Sequence, residues 1–362
     1  MSETRARLEI PEEGERAPLT ELFPVRRAWN VTAATGVGSL PGTSPDEAAG
    51  IVAGELPELP HLVELPDRGV GADMVGRAVA MLVDIFGEVV PSGWRISRRP
   101  GRDTSRAKDF LSWDLDAAQE RYADAEWVKV QVCGPWTLAA MLEVPSGHRA
   151  LTDAGAVDDL ATSLAEGLAA QVAEVAKRVP GAGVVVQIDE PALPAVLTGS
   201  LPTASGFGVV PAVPTVRVIE VLSRLTDSLG NHPSIAHCCH AAAPLRLLRA
   251  SGFDALSVDM TILGTTAAAL DPVGEAVETG AILLAGLIPS AAPATPKAPL
   301  KTWAEPLLQV WDRLGFPRQR LAAAVVPTPT CGLAGADSEW ALRAMTLSRE
   351  LAEAIQDLPE GW

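Results

Sequence analysis

Eight short β-rich runs, separated in most cases by alanine-rich helical stretches, constrain this 362-residue chain more than any other feature. The runs fall at residues 30–36, 61–65, 127–133, 183–188, 234–237, 255–259, 281–285 and 321–326. Most are apolar without strict alternation, as strands buried on both faces are. Helical patterns occupy 46–55, 153–178, 215–229, 242–250, 301–314 and 338–356. Ser44, followed by Pro45 and Glu47, reads as the cap of the first helix, and Ser338 before Glu339 as the cap of the last. This alternation predicts an α/β protein with a (β/α)8 TIM-type barrel rather than an open doubly wound sheet. The expected organisation is a polar N-terminal extension over residues 1–30 and a single barrel over 31–362.

Charge narrows the partners. The chain has 29 Lys and Arg against 45 Asp and Glu, a formal net charge of −16. Such a surface repels phosphate backbones and anionic lipid, so no nucleic acid and no membrane is expected as a partner. The most apolar stretch, 281–294, is interrupted by Pro289 and Pro293 and is too short to span a bilayer. The N-terminus is charged and lacks an apolar signal core, which predicts a cytoplasmic protein. Four cysteines in a chain of this length do not make a disulfide framework.

Barrel chemistry sits at the C-terminal ends of the strands. There the sequence places Val37, Gly38 and Ser39 after the first run, Glu64 and Asp67 after the second, and Cys133 after the third. Gln187, Asp189 and Glu190 follow the fourth, and His237, Cys238, Cys239 and His240 the fifth. Asp259 ends the sixth, and Cys331 and Gly332 follow the eighth. Side chains alternate along a strand, so His237 and Cys239 share a face while Cys238 points away. Asp259 and Cys331 complete a set of four, and a His, two Cys and a carboxylate suit tetrahedral zinc. Pairings through Cys238 or His240 need an irregular strand end, and Cys133 reads as packing. A zinc ion held by two thiolates is a weak Lewis acid toward carbonyls. It suits holding a substrate thiol, which in water is only a few per cent ionised at neutral pH, as an electron-rich thiolate. The chemistry read from these residues is thiol alkylation.

Several segments then point to a family. Gly38-Ser39-Leu40-Pro41, Asp73-Met74-Val75, Gly134-Pro135-Trp136-Thr137-Leu138, Gln187-Ile188-Asp189-Glu190-Pro191-Ala192-Leu193, His237-Cys238-Cys239, Leu256-Ser257-Val258-Asp259 and Cys331-Gly332-Leu333 occur in order over residues 30–335. In this the chain resembles the C-terminal catalytic barrel of cobalamin-independent methionine synthase. The resemblance implies transfer of a methyl group to the thiol of homocysteine, giving methionine, with Zn2+ as cofactor. It implies zinc on His237, Cys239 and Cys331, with Asp259 where the family usually has a glutamate. It also implies that Val37, Gly38 and Ser39 take the substrate carboxylate and that Asp189, the expected catalytic residue, takes its ammonium. Glu64 or Asp67 is the candidate for a second acid.

The departures from the family bear on the donor. Full-length members have two barrels, whereas this chain has room for one. Gly286-Leu287-Ile288-Pro289 replaces an acid-and-histidine stretch, and the acidic composition offers no basic groove for a polyglutamate tail. The methyl donor is therefore a methylcorrinoid or methyltetrahydrofolate, and the departures make a methylcorrinoid, free or on a corrinoid carrier protein, the candidate for a changed donor. Two alternatives stand beside this reading. One is a related barrel acting on another thiol or on a tetrapyrrole, with Arg98, Arg99 and Arg102 at its mouth. The other is a non-catalytic metal- or corrinoid-binding accessory protein. The Pro/Ala-rich segment 289–299 reads as a solvated loop in a position where a lid can form.

Overall fold

Valine, isoleucine and leucine runs that bury both faces assemble into parallel sheets, and six of them do so here. The structure, a computed structural model, describes residues 33–203, 206–358 and 362. The extension predicted over 1–30, and the start of the first run, lie outside the described residues.

The chain opens with segment 33–40, helix α1 (Pro45–Glu55), segment 60–65 and helix α2 (Met74–Met81). A hairpin of β1 (Phe86–Val90) and β2 (Gly93–Ser97) then leads into the 20-residue helix α3 (Arg102–Arg121). Next come β3 (Trp127–Cys133), α4 (Pro135–Met141), the two-residue β4 (Leu142–Glu143), α5 (Ala154–Arg178) and β5 (Gly183–Asp189). They are followed by α6 (Leu193–Thr198), α7 (Thr215–Ser228), β6 (Ser234–His237), α8 (Leu245–Ala250), β7 (Ala255–Asp259) and α9 (Ala267–Glu278). The chain ends with β8 (Ile282–Ile288), α10 (Leu300–Leu314), the single turn α11 (Leu321–Ala324), β9 (Val325–Pro329) and α12 (Ser338–Gln356).

Strands β3, β5, β6, β7, β8 and β9 form one parallel sheet in that order. It is a half-barrel sheet of the TIM type, with α-helices between successive strands, so the fold class is α/β. The first two runs form no regular strands, but they bond to its edges. Leu62 N donates to Lys129 O (2.9 Å) and Lys129 N to Pro60 O (2.8 Å), joining 60–65 to β3. Leu40 N donates to Glu64 O (2.9 Å), and Thr35 N reaches Pro327 O of β9 at 3.4 Å.

Two apolar layers hold the fold. The large one lies between sheet and helices. A smaller, separate cluster joins Ala33, Leu59, Val185, Ile235, Ala255, Ile282, Leu284 and Val326, with Trp127 against it. It draws on Ala33 of the first irregular segment, on Leu59 just before the second, and on all six strands. On the same strands, nearer their C-terminal ends, the inward residues turn polar: Lys129, Gln131, Gln187, Asp189, His237 and Ser257 are all buried.

Three local expectations need correction. The first half of the run at 321–326 is the helical turn α11, because Leu-Ala-Ala-Ala favours helix and only Val325 and Val326 favour strand. The last helix is capped by Asp337, which accepts from Trp340 N at 2.7 Å, and Ser338 is its first helical residue. Ser44 does cap α1, accepting from Glu47 N at 3.3 Å. Finally, β2 pairs with β1 and with β4, a small second sheet that the strand–helix rhythm does not announce. No helix among the described residues is long and apolar enough to cross a membrane.

Candidate active site

His237 ends β6, Cys239 lies two residues beyond it, and Cys331 lies two residues past β9. One ligand atom from each falls within 4.8 Å of the other two. The two sulfurs are 3.2 Å apart. His237 Nδ1 is 2.9 Å from Ser257 Oγ on the neighbouring strand, which leaves Nε2 for the cluster. A hydrogen bond from Cys239, and then His237, pushes the Cys331 thiol down to about 4, while Cys239 keeps its proton and moves up. Two soft sulfurs and an imidazole whose other nitrogen is already engaged are a donor set that fits zinc.

Asp259 is not part of this convergence. Its Oδ1 accepts from Thr261 N (2.8 Å) and Thr261 Oγ1 (2.6 Å), so the short side chain is engaged in its own turn. Cys238 is buried in the outer apolar layer, where burial pushes its thiol up to about 11. Cys133 is also buried, and His240 is exposed and accepts from Ala242 N. The sequence expectation of four ligands is thus replaced by three convergent donors.

The residues expected to hold an amino acid lie beside this cluster. Asp189 stands opposite His237 in the β5–β6 register. Ser39 O accepts from Leu333 N at 2.7 Å, and a Cβ on Gly332 would lie 2.1 Å from Ser39 Oγ, so the Cys331 turn rests directly on the Ser39 loop. Glu64 bridges to the same loop, with Glu64 N donating to Gly38 O at 3.2 Å. Its carboxylate is buried 3.5 Å from Arg77 Nε. Asp67 is exposed and accepts from Gly42 N, outside this group. Val37 O accepts from Lys129 Nζ and Gln187 Nε2, both at 2.9 Å. Burial pushes Asp189 up to about 7, against the pull of His237 and Lys129, and pushes Lys129 down to about 8. The sequence reading assigned no role to Lys129. Its signal was a lysine inside an otherwise apolar strand, in phase with Gln131 and Cys133.

Residues 31–354 match the family described as Cobalamin-independent synthase, Catalytic domain. The chain belongs to this family. Membership makes it a methyltransferase of the methionine-forming kind. Among solved structures it is similar to a B12-independent methionine synthase from Shewanella sp. W3-18-1 in complex with selenomethionine, with a TM-score of 0.53. Sequence identity is 13%, over 89% of this chain and 98% of that one, a likeness of fold. No curated protein matches the chain.

Glu190 has a different task from its neighbour in this synthase domain. Wholly buried, it accepts from Trp136 N (3.0 Å), Thr137 N (2.7 Å) and Thr137 Oγ1 (2.6 Å) at the start of α4. Burial pushes its carboxyl from 4.5 up to about 7, although these three bonds pull it down. Between those two values the folded state keeps a proton that the unfolded chain releases. Stability therefore falls as pH rises from 4.5 to 7, by at most about 3 kcal/mol from this group. Thermal melts across that range should show Glu190→Gln with a flatter profile than the parent.

At Gly286 on β8 no side chain fits. A Cβ would lie 2.8 Å from both Thr330 Cα and Val258 O. The segment after β2 carries a cluster of positive charge within this acidic chain. Arg98, Arg99, Arg102, Arg106 and Lys108 are exposed, with no ion pair among the described residues. They lie from the end of β2 into the first turns of α3. The 289–299 loop is tied at its base, where Trp340 Nε1 donates to Pro289 O at 2.9 Å.

Proposed function

We propose that the chain is a zinc-dependent methyltransferase that methylates homocysteine to methionine, with a methylcorrinoid rather than methyltetrahydrofolate as donor. We further infer that segments 33–40 and 60–65 close the six strands into a (β/α)8 barrel, so that residues 31–362 form a single catalytic barrel. The edge hydrogen bonds and the inner cluster support that closure. Four free thiols suit the reducing cytoplasm.

The observation that carries the reading is the convergence of His237, Cys239 and Cys331 beside Asp189 and the Ser39 loop. These three residues would hold zinc. When bound, zinc supplies a position at which a thiol is held deprotonated yet electron-rich. Ser257 orients His237. The Val37–Ser39 backbone and the Ser39 hydroxyl receive the substrate carboxylate. Asp189 receives the ammonium in a charge-assisted contact, with Glu64 as the second acid nearby. In the transfer a sulfur–carbon bond forms as the donor's bond to methyl breaks. The thiol proton leaves to solvent before attack. The exposed cations from Arg98 to Lys108 favour a donor with an anionic part, such as the phosphate of a corrinoid or an acidic face of a corrinoid carrier protein. The uncharged Gly286 segment offers no proton donor for a folate leaving nitrogen.

Zinc-edge X-ray absorption with and without homocysteine tests the reading. Two sulfur neighbours should become three when homocysteine is added. Protein without stoichiometric zinc, or a sulfur count unmoved by homocysteine, overturns it. Methylcobalamin and methyltetrahydrofolate offered in turn then decide the donor, with turnover expected only from the first.

A further inference from the structure

The buried ammonium of Lys129 has no place in the chemistry so far. It sits on β3 inside the sheet's concave face, fully buried, where a charge is expensive to keep. Its Nζ donates to Gln187 Oε1 (2.7 Å) and Val37 O (2.9 Å), two neutral oxygens. Gln187 Nε2 in turn donates to Val37 O (2.9 Å) and Asp189 Oδ1 (2.7 Å). Lysine is a donor only, so it must face the oxygen of the Gln187 amide. That choice turns the NH2 toward Asp189. A flipped amide would set its oxygen against both the Asp189 carboxylate and the Val37 carbonyl.

We propose that Lys129 is a positioning residue for amino-acid recognition, fixing the Gln187 amide so that Asp189 and the Val37–Ser39 loop are held together in one binding geometry. One Asp189 oxygen is taken by Gln187, which leaves the other for the substrate ammonium. The same ammonium, through Val37 O, holds the loop that meets the substrate carboxylate. Both ends of the amino-acid group are thereby referred to a single buried charge. This rests on the assignment of Asp189 to the substrate ammonium.

The test is titration calorimetry on the zinc-loaded protein, with homocysteine and with its des-amino analogue 4-mercaptobutanoate. Lys129→Met keeps the volume and removes the charge. It should weaken homocysteine about tenfold more than it weakens the analogue, which shares only the carboxylate end, so the preference for the amino group is lost. Gln187→Met should give the same loss, and the double variant should be no worse than Gln187→Met alone. Equal weakening of both ligands by Lys129→Met marks a merely structural role and overturns the proposal. If Lys129→Met does not fold, Gln187→Met decides: a retained preference for homocysteine overturns the proposal. Asp189→Asn run in parallel separates the two levels. Should it keep the amino preference, the Asp189 assignment itself fails. Should it lose the preference while Lys129→Met and Gln187→Met both keep it, only the role of Lys129 fails.

Discussion

Cys331→Ala should abolish metal binding and reduce methyl transfer on the order of 1,000-fold, about the largest loss that one electrostatic group in an active site produces. The reasoning starts from the free substrate. A thiol with a pKa near ~8.5 is only a few per cent ionised at neutral pH, so its nucleophile must be made by the site. Three donors converge there, and removing one leaves a His and a single Cys, too few to hold zinc against solvent. Elemental analysis and the rate of methionine formation check both parts. The companion experiment is Cys238→Ala. This thiol is one residue from Cys239, yet it is buried in the outer apolar layer. Its loss should cost about 1 kcal/mol of stability and leave zinc and turnover intact. A Cys238 variant that loses its metal, or a Cys331 variant that retains it, would contradict the ligand assignment.

Asp189→Asn is expected to raise the homocysteine dissociation constant by roughly 10- to 100-fold, the worth of one hydrogen bond to a charged group in a buried setting. The substitution preserves shape and leaves zinc in place, so zinc content should stay stoichiometric. It leaves Glu64 as the nearest acid, but that side chain already faces Arg77 at 3.5 Å and is poorly placed to substitute. Calorimetric titration reads the change directly. The neighbouring Glu190 gives a useful contrast. Glu190→Ala removes the acceptor of three donors at the start of α4, so its damage should appear in stability and not selectively in substrate affinity.

The contrast between these two adjacent carboxyls explains what could be read in advance. Asp-Glu-Pro after a strand announces acids at a strand end, but only the register and the position of Thr137 show that one stands opposite His237 and the other is bonded into the scaffold. The six central strands were legible because burial on both faces leaves an uninterrupted apolar run, as in Val184-Val185-Val186. Segment 60–65 was legible as β-rich, but Pro60 and Pro66 flank it and it makes only isolated bridges. His237 and Cys239 are readable from their spacing. Asp259 looked like their partner because nothing in the sequence reveals that Thr261 competes for its oxygen. Lys129 was hidden for a related reason. Its partners come from residues 37 and 187, and no local pattern links them. Arg98, Arg99 and Arg102 were legible as a local basic cluster despite the whole-chain charge, a sum over a surface that is uneven.

The turn carrying Cys331 rests on the loop carrying Ser39, with Leu333 N bonded to Ser39 O. The two are about four-fifths of the chain apart in sequence, so this contact forms only after everything between them has been synthesised. A nascent chain still on the ribosome can present His237 and Cys239, but not the third donor. On the zinc reading proposed above, tight metal capture would wait for β9 to dock, and premature loading onto an unfinished polypeptide would be disfavoured. Once the last strand docks, an ion that binds the folded form alone draws the equilibrium further toward it.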